Sequence, residues 1–448
     1  MMELTEKIAR YAVELEYEQL PAKALDMAKT AFIDCIGVSL AGSKEKSATI
    51  CGQLARQEGA AGESSVFGQG FKSSAIQAAL VNGTAAHALD FDHSLYMGQP
   101  TSGVVPAIMA MGESLGARGR DLLAAYVAGF EVTAKIARSI PEKGRGKWHS
   151  AGTLGTLGAT VSCAKLLRLD ADQTRMALGI AVAMASGVVC NYGTMTKPLD
   201  TGLAARNGIT AAKLAQAGFT ANSNAIESET GFYGAYLSLP PDPGPFAELG
   251  QCNDLIHGIK IKPYPCGGLA HNAIDAVLEM RSAHGVASEI VESIDVEVAE
   301  HAYSRLVFRV PQTGLQGKFC MGYLLARAMI DGKVSLDAFT DGAVRDPQIL
   351  EFADRVHMRL DPKLVESSTG ARPCRVTMRL KNGQSFSRYV EHAKGGAERP
   401  LTARELREKF FDCGRRAIDE RALSEILDSL ERLESVEDIR PTCRLLMA

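Results

Sequence analysis

Apolar side chains recur at three- and four-residue spacing through most of the first 220 residues, which predicts one helix after another. In the segment 22–33, Leu25, Ala28 and Phe32 fall on one helical face. Segments 74–90, 102–116, 120–138, 150–168, 171–187 and 201–219 carry the same period, separated by short glycine or polar breaks. Small residues recur inside them, as at Gly152, Gly155 and Gly158. Each such glycine costs a helix about 1 kcal/mol relative to alanine, and close approach of neighbouring helices is the return. This run has no Lys-Ser/Thr ending and follows no predicted strand, so it is not a nucleotide loop. The apolar stretch 176–190 falls short of the ~18 residues a membrane span requires and reads as a buried helix.

Beyond residue 262 the texture changes. A helix over 270–283 precedes residues 293–298, whose alternation predicts a half-buried strand. Residues 374–380 and 384–390 flank Lys381-Asn382-Gly383 and predict a hairpin, with Asn-Gly admitting the positive φ angles of a tight primed turn. After a break at 394–400, Thr402 and Glu405 form a capping box for a returning helix. The expected fold is mainly α with an α+β part. A large helical domain is built from 1–262 and 400–448, and a smaller α+β domain, 263–399, is inserted as a lid.

Charge and cysteine usage narrow the function. With 49 basic against 52 acidic side chains there is no electrostatic footprint for nucleic acid. The first residues, Met1 to Lys7, lack the basic and apolar stretches of a signal peptide. None of the ten cysteines forms a Cys-x-x-Cys pair, which argues against a zinc ribbon or an iron–sulfur site. They read as small buried hydrophobes of a reduced, cytoplasmic protein.

Four clusters combine ionisable groups with glycine or proline at helix ends, where function concentrates. The first runs from His87 to Ser94 and includes Asp90, Asp92 and His93; taken alone it is more often a solvated helix end, and its spacing selects no metal. The second, Gly144 to Thr153, places Arg145, Lys147 and His149 ahead of a helix N-terminus, which favours anions. The only tryptophan, Trp148, adjoins His149 and is expected to desolvate its imidazole. Lys197 in the third cluster precedes Pro198, which is expected to hold it out of helical geometry; by itself it reads as a surface lysine. The fourth, Lys260 to His271, is a rigid Pro/Gly turn between the domains that delivers His271 into a helix start and contains Lys262. Interdomain clefts are common ligand sites.

Together these words resemble the MmgE/PrpD family, which includes 2-methylcitrate dehydratases, cis-aconitate decarboxylases and an iminodisuccinate epimerase. The resemblance rests on His87-Ala88-Leu89-Asp90-Phe91-Asp92, Trp148-His149, Thr196-Lys197-Pro198 with Ala204 to Gly208, and Lys262 through His271. Lys318-Phe319, Asp331-Gly332 and Arg399 to Leu406 continue it in the expected order. It implies an enzyme without metal or other cofactor, usually a homodimer, with a helical domain and a lid domain, acting on small di- or tricarboxylates. It places Asp90, His149, Lys197 and His271 at active-site positions, Lys262 in the pocket, and Ser94 where a threonine is usual. Two departures stand out: His93 replaces the last acid of the family's Asp-Phe-Asp-Asp-Thr, and Gln99-Pro100 replaces a His-Pro pair. Gln cannot shuttle protons, so the step given to that histidine is absent, unnecessary, or moved to a group such as His93.

The chemistry implied is proton transfer beside a carboxylate, which needs a nearby base and electrostatic stabilisation of the developing charge. His149 and His271 are expected to carry acid/base work, with Lys197 on a carboxylate or oxyanion and Asp90 orienting one of them. Lys262 and Arg145 hold the remaining carboxylates, with Ser94, His93 and Gln99 as further substrate contacts. The expected reaction is that of a 2-methylcitrate dehydratase-like hydro-lyase. Epimerisation or isomerisation of the iminodisuccinate kind, and cis-aconitate-type decarboxylation, are the alternatives, and a non-catalytic carboxylate binder is a remote one. No nucleic-acid or membrane partner is expected.

Overall fold

The structure, a computed structural model of the 448-residue chain, describes residues 3–141, 144, 146–367 and 371–447. It divides into two compact units, Met1–Lys260 with Thr402–Ala448, and Ile261–Leu401. The larger unit is helical: α1 (Leu4–Glu14), α2 (Ala22–Gly42), α3 (Lys46–Glu58), α4 (Ala75–His87), α5 (Thr101–Leu115), α6 (Gly119–Ser139), α7 (Ser150–Leu166), α8 (Ala171–Met184) and α9 (Thr196–Gln216). Its only strands among the described residues are the small antiparallel pair β1 (Ser64–Val66) and β2 (Phe71–Ser73).

The smaller unit contains α10 (His271–His284), β3 (Val291–Val298), α11 (Glu300–Arg305), α12 (Gly314–Gly317), α13 (Met321–Ile330), α14 (Pro347–Ala353), β4 (Val356–Leu360), β5 (Cys374–Leu380) and β6 (Ser385–Val390). Its sheet runs β4-β3-β5-β6, with β3 parallel to β4 and the other pairs antiparallel. Ile294, Val296, Val376 and Met378 on one face of that sheet pack with Ile274, Val277 and Leu324 into one core. The chain then returns to the larger unit as α15 (Ala403–Gly414), α16 (Glu420–Glu431) and α17 (Arg440–Leu445). The expected capping box is present, with Thr402 accepting from the Glu405 amide and the Glu405 carboxylate from the Thr402 amide.

Two local expectations are corrected. The hairpin joins β5 to β6, but only Gly383 takes a positive φ, 84°. Leu380 donates its amide to the Gln384 carbonyl at 2.8 Å, so three residues form the turn, with glycine in the left-handed position. Helix α9 begins at Thr196, five residues before the segment read from the sequence, and takes Lys197 and Pro198 into its first turn. Proline is tolerated there because first-turn N–H groups have no intrahelical acceptor.

The packing of α4, α7 and α9 positions the site. A Cβ on Gly202 would lie 2.3 Å from the Leu80 carbonyl oxygen, so α4 and α9 touch backbone to backbone. That crossing carries the end of α4 towards the start of α9. Likewise, a Cβ on Gly152 would lie 2.5 Å from the Ser186 carbonyl oxygen and 3.1 Å from the Asp200 Cβ, which seats the start of α7 against α9. Among the described residues no helix is long and apolar enough to cross a membrane. Gly202→Ala must push α4 from α9, and overpacking of this kind typically costs about 1–3 kcal/mol. Chemical unfolding of that variant is expected to show a lowered midpoint; an unchanged midpoint would mean the crossing is loose.

Candidate active site

The larger unit gathers ionisable groups from three helix ends. His87 is the last residue of α4, His149 caps α7, and Lys197 and Asp200 stand three residues apart in the first turns of α9, hence on one side of that helix. Asp90 and Asp92 lie in the segment after α4. Asp90 has φ of 54°, a left-handed conformation that Asp adopts more readily than most residues and that turns the chain beyond the helix.

The central contact is between His149 Nδ1 and Asp200 Oδ2, 2.8 Å apart and buried. A carboxylate accepts at that distance, so Nδ1 carries the proton and the exchangeable position is Nε2. His149 Nε2 is buried and has no hydrogen-bond partner among the described residues. The backbone holds the ring in place, since the His149 amide donates to the Gly187 carbonyl at 3.1 Å. Tyr192 stands edge-on to the imidazole, with centroids 5.1 Å apart, and Lys197 Nζ lies 5.7 Å from the same tyrosine ring. Trp148 does not face His149 as the sequence suggested. Its indole packs on Tyr236 and donates to the Tyr236 carbonyl at 2.9 Å.

Lys197 Nζ pairs with Asp90 Oδ1 at 3.1 Å. Burial works against its charge, yet the Asp90 and Asp92 carboxylates hold the ammonium above its ordinary pKa. It is therefore a fixed cation beside an imidazole, the pairing a carboxylate substrate requires. Behind this segment, Lys409 of α15 pairs with Asp34 and donates to the Phe91 carbonyl at 2.9 Å, which anchors the stretch between Asp90 and Asp92. Ser94 pairs backbone to backbone with Lys260, both bonds 2.9 Å. Tyr96 of the same loop hydrogen-bonds to Asp254, the partner of buried Lys135.

The remaining expected residues separate. Gln99 is half-buried just ahead of α5. His93 turns into the helical core: it is buried, Nε2 lies 3.2 Å from Thr101 Oγ1, and the Thr101 hydroxyl bonds Tyr126 at 2.7 Å. This hydrogen-bond chain holds the His93 ring against α5 and α6. Arg145 lies outside the described residues. His271 and Lys262 belong to the smaller unit. There His271 opens α10, with Nε2 3.3 Å from the Cys266 carbonyl oxygen and Tyr264 edge-on at 5.3 Å, and Lys262 is buried.

Sequence reasoning missed Asp200, Tyr192 and the pairing of His87 with Asp92. The signal for Asp200 was its i, i+3 spacing from Lys197, hidden by the belief that Lys197 lay outside the helix. Among the described residues no group of three or more His, Cys, Asp or Glu side chains is arranged to hold a metal ion.

Comparison with known proteins bears on this geometry. Residues 6–243 match the MmgE/PrpD N-terminal domain and residues 264–433 the MmgE/PrpD C-terminal domain. Cis-aconitate decarboxylase of Homo sapiens is 27% identical, over 97% of this chain and 92% of its own length. The mouse protein of that name is 26% identical over 99% and 93%, and the Aspergillus terreus one 26% over 99% and 96%.

Removing the imidazole or the carboxylate that sets its tautomer tests the site directly. His149→Ala is expected to lose ~10²-fold or more in turnover, and Asp200→Asn about 10–100-fold, both with native circular dichroism. Wild-type rates in either folded variant would refute the arrangement.

Proposed function

The chain belongs to the MmgE/PrpD family, and from that premise we propose that it is a lyase of small polycarboxylates, catalysing a cis-aconitate-type decarboxylation by proton transfer beside a carboxylate. The relatives that align over nearly the whole chain are named cis-aconitate decarboxylases, which favours this reaction over the hydro-lyase expected from sequence. The observation that carries the reading is His149, held through Nδ1 by Asp200 with Nε2 buried and unpartnered among the described residues.

The chemistry sets a short list of needs. In cis-aconitate a CH₂-carboxylate adjoins a carbon–carbon double bond. When the single bond between the CH₂ carbon and its carboxylate breaks, CO₂ leaves and the electron pair of that bond forms a new double bond. The old double bond shifts its pair to the carbon beside another carboxylate, and that carbon takes one proton. An acid and fixed cations are therefore required. His149 Nε2–H delivers the proton, and Asp200 stabilises the imidazolium beforehand. Lys197 holds the carboxylate beside which negative charge develops, and Asp90 orients the ammonium. His271 and Lys262, which the resemblance places in the active site and its pocket, are assigned the second acid/base role and another carboxylate, and Arg145, ahead of the α7 N-terminus in sequence, a further carboxylate. Ser94 and Gln99 add neutral hydrogen bonds to them.

Incubation with cis-aconitate in D₂O tests the reaction. The expected result is CO₂ and an unsaturated dicarboxylate in equal amounts, with one deuterium on the carbon beside a carboxylate. Addition of water to give a hydroxy-tricarboxylate without CO₂ would return the assignment to a hydro-lyase. Deuterium exchange without net change would make it an epimerase, and binding without exchange would leave a carboxylate binder. His271→Ala is expected to lower turnover by ~10²-fold or more; an unaffected rate would remove it from the mechanism.

A further inference from the structure

The larger unit holds two carboxylate-bound imidazoles, and the proposed mechanism uses only one. His87 packs beside His149, ring centroids 5.3 Å apart and planes tilted by 32°. Its side chain is fully buried, and Nδ1 lies 2.8 Å from Asp92 Oδ2. The Ser102 hydroxyl donates to that same oxygen. The shared oxygen is thus an acceptor, Nδ1 carries the proton, and neutral His87 keeps its lone pair on Nε2. That nitrogen is buried and has no hydrogen-bond partner among the described residues, as at His149. The two imidazoles therefore repeat one design: Nδ1 tied to a buried carboxylate and Nε2 left over.

We propose that His87 is a positioning residue for His149: the two adjacent imidazoles hold a single excess proton between them, and a neutral His87 is what lets His149 carry it. The inference rests on the reading of His149 as the proton-transfer group. Two imidazolium charges this close, shielded from water, repel strongly enough for their titrations to merge into steps that belong to the pair. The charged and titratable groups around the pair are Asp90, Asp92, Asp200, Lys197 and Tyr192. Burial first of all pushes the His87 pKa down; the Lys197 and His149 charges push the same way, and Asp92 pulls against them. His87 is accordingly the member of the pair that is left neutral. Ser102 and Asp92 fix the His87 ring so that it cannot rotate away.

Histidine-selective ¹⁵N NMR, followed across pH, reads this without turnover. In the wild-type protein the His87 and His149 signals are expected to respond to each other's titration. His149→Gln keeps an amide donor for Asp200 but no titratable proton. In that variant the His87 titration, which in the wild type must add a second charge beside His149, is expected to move up by about one pH unit or more. An unmoved His87 titration in folded His149→Gln protein would overturn the proposal. If that variant does not fold, His87→Gln gives the reciprocal reading: the response of the His149 signals to the second titration step is expected to vanish, and a His149 response that keeps both steps would overturn it equally. Coupled titrations in a protein inactive on tricarboxylates would support the pairing while the decarboxylase reading failed. Independent titrations in an active decarboxylase would do the reverse.

Discussion

The hydrogen bond between His149 and Asp200 is the constraint on which the site depends. An imidazole in water exchanges its two tautomers freely. With Nδ1 held 2.8 Å from a buried carboxylate oxygen, a single tautomer is selected, and Nε2 is the nitrogen without a hydrogen-bond partner among the described residues. The bond exists because α7 and α9 approach closely at Gly152, where an added Cβ would lie 3.1 Å from the Asp200 Cβ. Small residues that weaken isolated helices thus act at a distance from the chemistry, by setting where helix ends meet.

Charge is arranged by the same helix ends. Three carboxylates, on Asp90, Asp92 and Asp200, face one ammonium and two imidazoles. The carboxylates keep Lys197 charged in spite of its burial. A fixed ammonium beside a tautomer-locked imidazole gives both parts of proton transfer next to a carboxylate: a place for the proton and a field for the charge left behind. The buried Lys409–Asp34 pair at Phe91 shows that the segment carrying two of those carboxylates is supported from behind.

Much of the fold was legible because helix periodicity is local. The segments read as 74–90, 102–116 and 120–138 correspond to α4, α5 and α6, and the 374–390 hairpin and the Thr402 cap are present. The start of α9 was misplaced because the residue before a proline usually leaves the helix, and a first-turn proline is the exception. The site was legible in part. His149, Lys197 and Asp90 stood out as polar residues at helix ends, and all three fall in the cluster. The contacts of Asp200 and Tyr192 with His149 join elements distant in sequence, so the i, i+3 spacing of Lys197 and Asp200 could show their shared side of α9 but not what they meet; His87 and Asp92 stand only five residues apart, and their pairing depends on the turn of the chain at Asp90.

The most direct measurement is a crystal structure with an unreactive tricarboxylate, such as tricarballylate, bound to the protein. Expected is one carboxylate on Lys197 Nζ, with the adjacent carbon about 3–3.5 Å from His149 Nε2, the distance of a reacting pair. A ligand bound elsewhere, or a protein group occupying His149 Nε2 in the complex, would contradict the central role given to that nitrogen.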